Sequence, residues 1–166
     1  MSGELVLSYR TIRVPADAAT AARNHRDACV ASFGDDLRCE ADVRYLSWLR
    51  AKVEEFPEGF VLAYLGDQCV GHLEMEVPYG LPTGYVNLYY VLPQFRRQGI
   101  GMAMHVYAEK YFRSWEASCI ELHVSPTNRA AMQFYRRLGY RAVQLEGTGA
   151  PLWRMKRELD LAVREK

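Results

Sequence analysis

The chain has 166 residues, enough for one domain that buries roughly 70% of the surface its unfolded form would expose. Its 49% apolar and 25% charged residues are those of an ordinary soluble globular protein, and nothing in them suggests disorder. Lys and Arg number 21 against 20 Asp and Glu, so the whole-molecule field is close to neutral and draws in neither nucleic acid nor an anionic membrane; an anion site would have to be local.

Four cysteines, Cys29, Cys39, Cys69 and Cys119, lie far apart with no CxxC pair. That pattern argues against a zinc or other metal site and against a dense disulfide framework, and points to a reducing compartment. No long apolar run follows a basic start, and none approaches the roughly 18 residues of a membrane span, so neither signal peptide nor span is expected and a cytoplasmic location is.

In chain order, alternation through Leu7, Tyr9 and Thr11 predicts a strand over Val6 to Val14. Pro15 and Asp17 open an alanine-rich helix to about Phe33, broken by Gly34-Asp35-Asp36. Val43, Leu46, Leu49 and Val53 recur at helical spacing and predict a second helix from about Glu40 to Glu55. The period then changes to two: Phe60 to Leu65 and Cys69 to Val77 flank a Gly66-Asp67-Gln68 turn as a hairpin. After the loop Pro78 to Gly84, Tyr85 to Leu92 is the next strand, and a helix with Ile100, Met104, Tyr107, Ala108 and Tyr111 on one side follows. Ser118 to Val124 is a strand. Ser125, with Pro126 at the first helical position, caps a last helix that Gly139 ends. Arg141 to Leu145 and Trp153 to Leu159 close the chain. The order predicts a mixed α/β (α+β) fold, with a largely antiparallel central sheet of about seven strands, helices on both faces, and two crossovers giving locally parallel neighbours.

The stretch Leu92-Pro-Gln-Phe-Arg-Arg-Gln-Gly-Ile-Gly101 puts Arg96, Arg97 and Gln98 against two glycines at a helix start. The first amides of a helix have no internal partner and its dipole favours an anion there, so cations at this place call for a bound anion. A plain tight turn is the bland alternative. A dinucleotide loop needs a third glycine where Met104 stands, and a Walker loop needs a Lys-Ser or Lys-Thr that is missing.

Residues Tyr89 to Gly101 resemble the acetyl-CoA pyrophosphate loop of the GNAT N-acetyltransferase superfamily, whose pattern Gln/Arg-x-x-Gly-x-Gly/Ala is met by Arg96, Gly99 and Gly101. Twenty-seven residues after Gly101, "NRAAMQFYRRLGY" resembles the superfamily's second signature. The resemblance implies a single N-acetyltransferase domain over 1–166, with acetyl-CoA as the acyl donor. Backbone groups of Tyr89, Tyr90 and Val91 would bond the pantetheine arm. Arg96, Arg97, Gln98, Gly99, Ile100, Gly101 and Met102 would hold the pyrophosphate, and Asn128 would contact the cofactor, a cap being its other reading. Tyr135 would be the general acid for the departing thiol. Arg136, Arg137 and Arg141 are a solvated helix end or a ribose-phosphate contact.

A lysine-like amine must lose a proton before attack, about 4 to 5 kcal/mol at neutral pH. Where some members of the superfamily carry a glutamate, this chain has Asn87, so Glu74, Glu76, His123 or water stand in as the base. Tyr79 and Tyr85 flank the Pro/Gly loop as candidates for an acceptor pocket, and His105, off its helix stripe, is read as exposed. The resemblance implies direct acetyl transfer to a primary amine in a ternary complex, and the lack of a cysteine beside a recognisable base is consistent with it. A non-catalytic CoA-binding regulatory domain is the alternative. The acceptor stays open among polyamine, amino acid, protein N-terminus, lysine and aminoglycoside, as does acetyl against longer acyl. Exposed sheet edges suggest a homodimer.

Overall fold

In a computed structural model of the chain, residues 3–37 and 39–160 are described. The elements are β1 (Ser8–Thr11), α1 (Ala18–Phe33), α2 (Asp42–Glu55), β2 (Phe60–Leu65), β3 (Gln68–Glu76), β4 (Thr83–Val91), α3 (Ile100–Ser114), β5 (Cys119–Val124), α4 (Arg129–Arg137), β6 (Arg141–Glu146) and β7 (Leu152–Glu158). A 3-10 turn, Pro93–Phe95, links β4 to the glycine loop. Seven strands form one sheet in the order β1-β2-β3-β4-β5-β7-β6.

Period-two patterning decides which side each strand residue faces. Along β2, Phe60 and Leu62 join Ile12, Tyr45 and Leu49 in a core beneath α1 and α2, whereas Val61 and Ala63 join Ile100, Met104, Ala108 and Phe112 beneath α3. Both faces are therefore covered by helices, as the element order predicts. Burying a side chain such as Phe60 or Phe112, each fully buried, contributes about 1.5–3 kcal/mol.

Three expectations are corrected. Only one crossover yields parallel neighbours: β4 pairs parallel with β5, but β7 inserts between β5 and β6, antiparallel to both. Helix α1 starts at Ala18, because the Asp17 carboxylate is turned back to accept from the Arg10 guanidinium at 2.9 and 3.1 Å and from the Arg13 amide at 2.8 Å. Helix α4 is capped by Asn128, whose Oδ1 accepts from Ala131 N–H at 3.2 Å, while Ser125 closes the preceding turn by accepting from Asn128 N–H through its carbonyl.

His105 is likewise buried. It lies against α3's own Glu109, with Nε2 3.1 Å from the carboxylate, and 2.8 Å from the Arg157 guanidinium of β7. Burial and the Arg157 charge push its pKa down to about 4, so the ring is neutral.

Candidate functional site

The site grows out of a mismatch between two neighbouring strands. Parallel pairing of β4 with β5 runs only from Thr83↔Cys119 to Val86↔Leu122. Beyond that point β4 keeps its antiparallel partner β3 on one edge and, among the described residues, has no strand partner on the other. A bulge causes the parting: Glu74 pairs with Leu88 but Met75 with Val86, so Asn87 is an extra residue in β4. The extra residue shifts the pleat, leaving Val86 and Tyr89 packed toward α3 while Leu88 and Tyr90 face α1 with Ala28 and Phe95.

The parted strands open a cleft of about 570 Å³, a size suited to a small-molecule ligand. Of the residues expected to hold a cofactor, Tyr89, Tyr90, Val91, Arg96, Arg97, Gly99, Gly101, Met102 and Asn128 line it, as does Tyr135. Gln98 and Ile100 do not: Gln98 Nε2 donates to the Gln94 carbonyl at 3.1 Å, and Ile100 is buried in the core beneath α3. Arg137 reaches the cleft, whereas Arg136 and Arg141 lie outside its lining. No carboxylate lines it among the described residues.

Arg97 (φ 63°) and Gly99 (φ 83°) both take the left-handed conformation, the kind of backbone from which anion-binding nests are built. The first helical bond of α3 runs from Ala103 N–H to the Gly99 carbonyl, so the amides of Ile100, Gly101 and Met102 precede the ladder. A Cβ on Gly101 would come within 3.1 Å of the Phe134 ring, so glycine lets α3 and α4 close on each other there. Arg96 does not simply await an anion. Its Nε donates to the Val91 carbonyl at 2.9 Å and its guanidinium lies over the Tyr90 ring, bracing the loop against β4. Arg97 is left exposed.

The middle of the cleft is aromatic. The Tyr135 ring meets Tyr89, Phe134 and Tyr140 edge-on or tilted, at 5.6 to 6.2 Å between centroids. Burial raises the pKa of Tyr135 above the usual phenol value, so it carries its proton at neutral pH. Tyr89, also raised by burial, donates to the Gly101 carbonyl at 3.1 Å and so pins the start of α3.

Of the three side chains expected to stand in as base, only His123 lines the cleft. Its Nδ1 is 2.6 Å from the Tyr85 hydroxyl and its Nε2 is 2.8 Å from Glu146 Oε2. Glu146 also accepts from Arg154 Nε at 2.6 Å, and Arg154 reaches Glu121 at 3.2 Å. Hydrogen bonds from His123 and Arg154 lower the Glu146 pKa, so its carboxylate accepts, His123 donates Nε2–H to it, and Nδ1 accepts from Tyr85. Tyr85 itself is pushed up to about 12 by burial and by the charges of Glu76, Glu121 and Glu146.

The other two carboxylates are committed elsewhere. Glu74 is buried under α1 and α2, accepting from the Tyr45 hydroxyl, with His72 Nε2 3.1 Å away but out of line for a hydrogen bond. Glu76 accepts from Asn87 at 3.0 Å and pairs with Lys52 at 3.1 Å. Neither loop tyrosine is part of the cleft lining: Tyr79 is fully exposed, and Tyr85 touches the site only through His123. The chain from Tyr85 to Arg154 is hard to see in sequence because its members come from four strands, up to 69 positions apart by number.

Residues 23–140, the span that holds the parted strands, the glycine loop and the tyrosine, match the Acetyltransferase (GNAT) family. The chain belongs to that family. An N-alpha-acetyltransferase of Sulfurisphaera tokodaii is 29% identical over 104 residues, 56% of this chain and 62% of that relative's length. Among solved structures, Ard1 from Thermoplasma volcanium superposes with a TM-score of 0.75 at 18% identity, covering 92% of this chain and 97% of that one. Spermidine N-acetyltransferase from Vibrio cholerae, in complex with CoA and spermine, gives 0.72 at 14% identity, covering 92% and 95%. At these identities the structures establish a shared fold. Within the GNAT fold the bulge at Asn87, the splay beyond Val86 and the turn at Arg97–Gly101 form one continuous feature, running from strand to helix.

Proposed function

We propose that this chain transfers an acetyl group from acetyl-CoA to a primary amine by direct attack in a ternary complex. The observation that carries the reading is the splay of β4 from β5, which joins the left-handed turn at one end to a half-buried, protonated tyrosine in the middle. The fit to the donor rests on three features: the left-handed pair Arg97 and Gly99, the free amides ahead of Ala103, and Arg137 on the opposite wall. Amides of residues 97–102 would hold the pyrophosphate, with backbone groups of Tyr89 and Tyr90 along the arm and Asn128 at its side. The bound thioester supplies an activated acetyl group.

The chain's own side chains handle two protons. Tyr135 gives its phenolic proton to the departing sulfur, a thiol whose ordinary pKa of about 8.5 makes it a better leaving group once protonated. On the acceptor side, His123, the candidate base that lines the cleft, takes a proton from the ammonium at Nδ1, displacing the Tyr85 hydroxyl that faces it. The Glu146 carboxylate then steadies the imidazolium through Nε2. This system is mild, and the lining carries arginines but no carboxylate to draw a polycation. An α-amine, with a pKa of about 7.7–8.0 against about 10.4 for lysine, asks least of it. The N-terminal amine of a peptide is therefore the acceptor class we assign, in line with the name of the Sulfurisphaera relative. A cytoplasmic setting and a single catalytic domain go with that reading. So does a homodimer through β6, an edge strand with Val143 and Leu145 exposed, which sedimentation would detect as a doubled mass.

The test is release of free thiol from acetyl-CoA in the presence of short peptides with free N-termini, N-terminally blocked peptides containing lysine, or spermidine. Turnover is expected with the first and far less with the others. Preference for spermidine would overturn the acceptor assignment, and cofactor binding without turnover on any amine would make the chain a CoA-binding module.

A further inference from the structure

A second cluster of reactive side chains stands behind the cleft wall, on α1. Cys29 lies on α1 and Cys39 ahead of α2, ten positions apart. Their sulfurs are joined and their Cα atoms are 5.8 Å apart, a separation that a disulfide spans without moving the backbone. His25 precedes Cys29 by four residues on the same helix face. Its Nδ1 is 3.4 Å from Cys39 Sγ, and its ring stacks on Tyr45 at 4.0 Å. Both cysteines are half-buried, so small molecules can reach them. The other two cysteines, Cys69 and Cys119, are unpaired. The position of the pair matters because Ala28, Ala31 and Ser32 of the same helix line the cleft, and the Ser32 carbonyl accepts from the Thr127 hydroxyl at 3.1 Å, next to Asn128.

We infer that Cys29 and Cys39 form a reversible thiol–disulfide exchange site for small thiols and disulfides of the glutathione class, and that the bridged state holds the α1 wall of the cleft in place. In the reduced chain His25, kept neutral near pH 7 because burial lowers its pKa, takes the proton of the Cys39 thiol. The Cys39 thiolate attacks one sulfur of the small disulfide, breaking its S–S bond and expelling one thiol. Cys29, once deprotonated, attacks Cys39 Sγ, forming the bridge and expelling the second thiol. Two electrons leave the protein for the small disulfide, and the two protons leave on the two thiols. A bridge from α1 to the segment ahead of α2 restrains the helix turn that carries Ala28, Ala31 and Ser32. A divalent cation held by His25 and two thiolates would use the same atoms and cannot coexist with the bridge.

The test equilibrates the whole chain in glutathione buffers of rising oxidised fraction, alkylates it after acid trapping, and maps the labelled peptides by mass spectrometry. Amide hydrogen exchange of residues 28–32 is recorded in the fully reduced and fully oxidised samples. Cys29 and Cys39 are expected to lose label together and regain it on reduction, with Cys69 and Cys119 labelled throughout. Exchange at residues 28–32 slows several-fold in the oxidised state, and a Cys39→Ser variant shows neither change. Labelling of Cys29 and Cys39 in every buffer, equal exchange in both states, or stoichiometric zinc uptake by the reduced chain that Cys39→Ser abolishes would each overturn the inference. None of these readouts uses acetyl transfer, so they fail or succeed separately from the catalytic reading.

Discussion

Tyr135 and Glu146 act at opposite ends of the same proposed reaction, and substitutions at each separate their roles. Tyr135→Phe removes one hydroxyl and keeps the ring contacts with Tyr89 and Tyr140. It should lower kcat about 10²-fold, the scale of a lost general acid, with CoA affinity by calorimetry unchanged. An unchanged kcat would remove Tyr135 from the chemistry. At the other end, His123 and Arg154 keep Glu146 ionised to lower pH than an ordinary glutamate. Its support of His123 is therefore present above the ordinary glutamate range and is lost as pH falls through its depressed pKa. Glu146→Gln should cost about tenfold in kcat/KM at neutral pH, a modest share of general-base catalysis. The gap to the parent chain should close on acidification; a gap that widens instead would show that Glu146 works in some other way. Arg97 bears the cost of the turn in its backbone: a left-handed residue other than glycine costs about 1–2 kcal/mol, which the proposed pyrophosphate contact would offset.

At the scale of elements, β1 is fastened to the start of α1 by Asp17, whose carboxylate takes two bonds from Arg10 and one from the Arg13 amide. Burial pushes the Asp17 pKa up, but these bonds outweigh it and the net direction is down. Stability from Asp17 is thus present above the unfolded aspartate pKa and disappears as pH falls through the folded one. Asp17→Asn should cost about 1 kcal/mol in urea unfolding at neutral pH, solvent screening included, and nothing in strong acid. A pH-independent deficit would mean that shape, not charge, is what Asn fails to supply. How much of this was readable in the sequence varies by element. The β2 strand is, because Phe60–Leu65 is a six-residue apolar run closed by Gly66-Asp67, and so is the glycine loop, whose φ-permissive residues are spelled out. The splay is not, because it depends on Asn87 having no partner in β3, a fact of pairing that propensity does not encode. Nor is the place of β7 between β5 and β6, since local patterning fixes each strand and leaves their order to the packing of the whole sheet.

On the scale of the whole molecule, a nearly neutral chain concentrates positive charge at Arg96, Arg97 and Arg137 around one cleft, so an anion bound there would be selected locally. Both faces of the sheet are covered, and the opening between β4 and β5 lets a ligand reach between strands. Sequence alone left the acceptor blank and offered three side chains or water as the base. The fold withdraws Glu74 into the core and ties Glu76 to Asn87 and Lys52, because these two residues, two positions apart on one face of β3, meet different turns of α2. The Cys29–Cys39 pair was equally hidden, its spacing of ten carrying no motif.

The central claim is direct transfer in a ternary complex, and initial rates with acetyl-CoA and an N-terminal peptide varied together test it most directly. Double-reciprocal lines that intersect, with thiol released in step with acetylated peptide, are the predicted result. Parallel lines with a burst of thiol before any peptide is added would reveal an acetylated protein, and would contradict it.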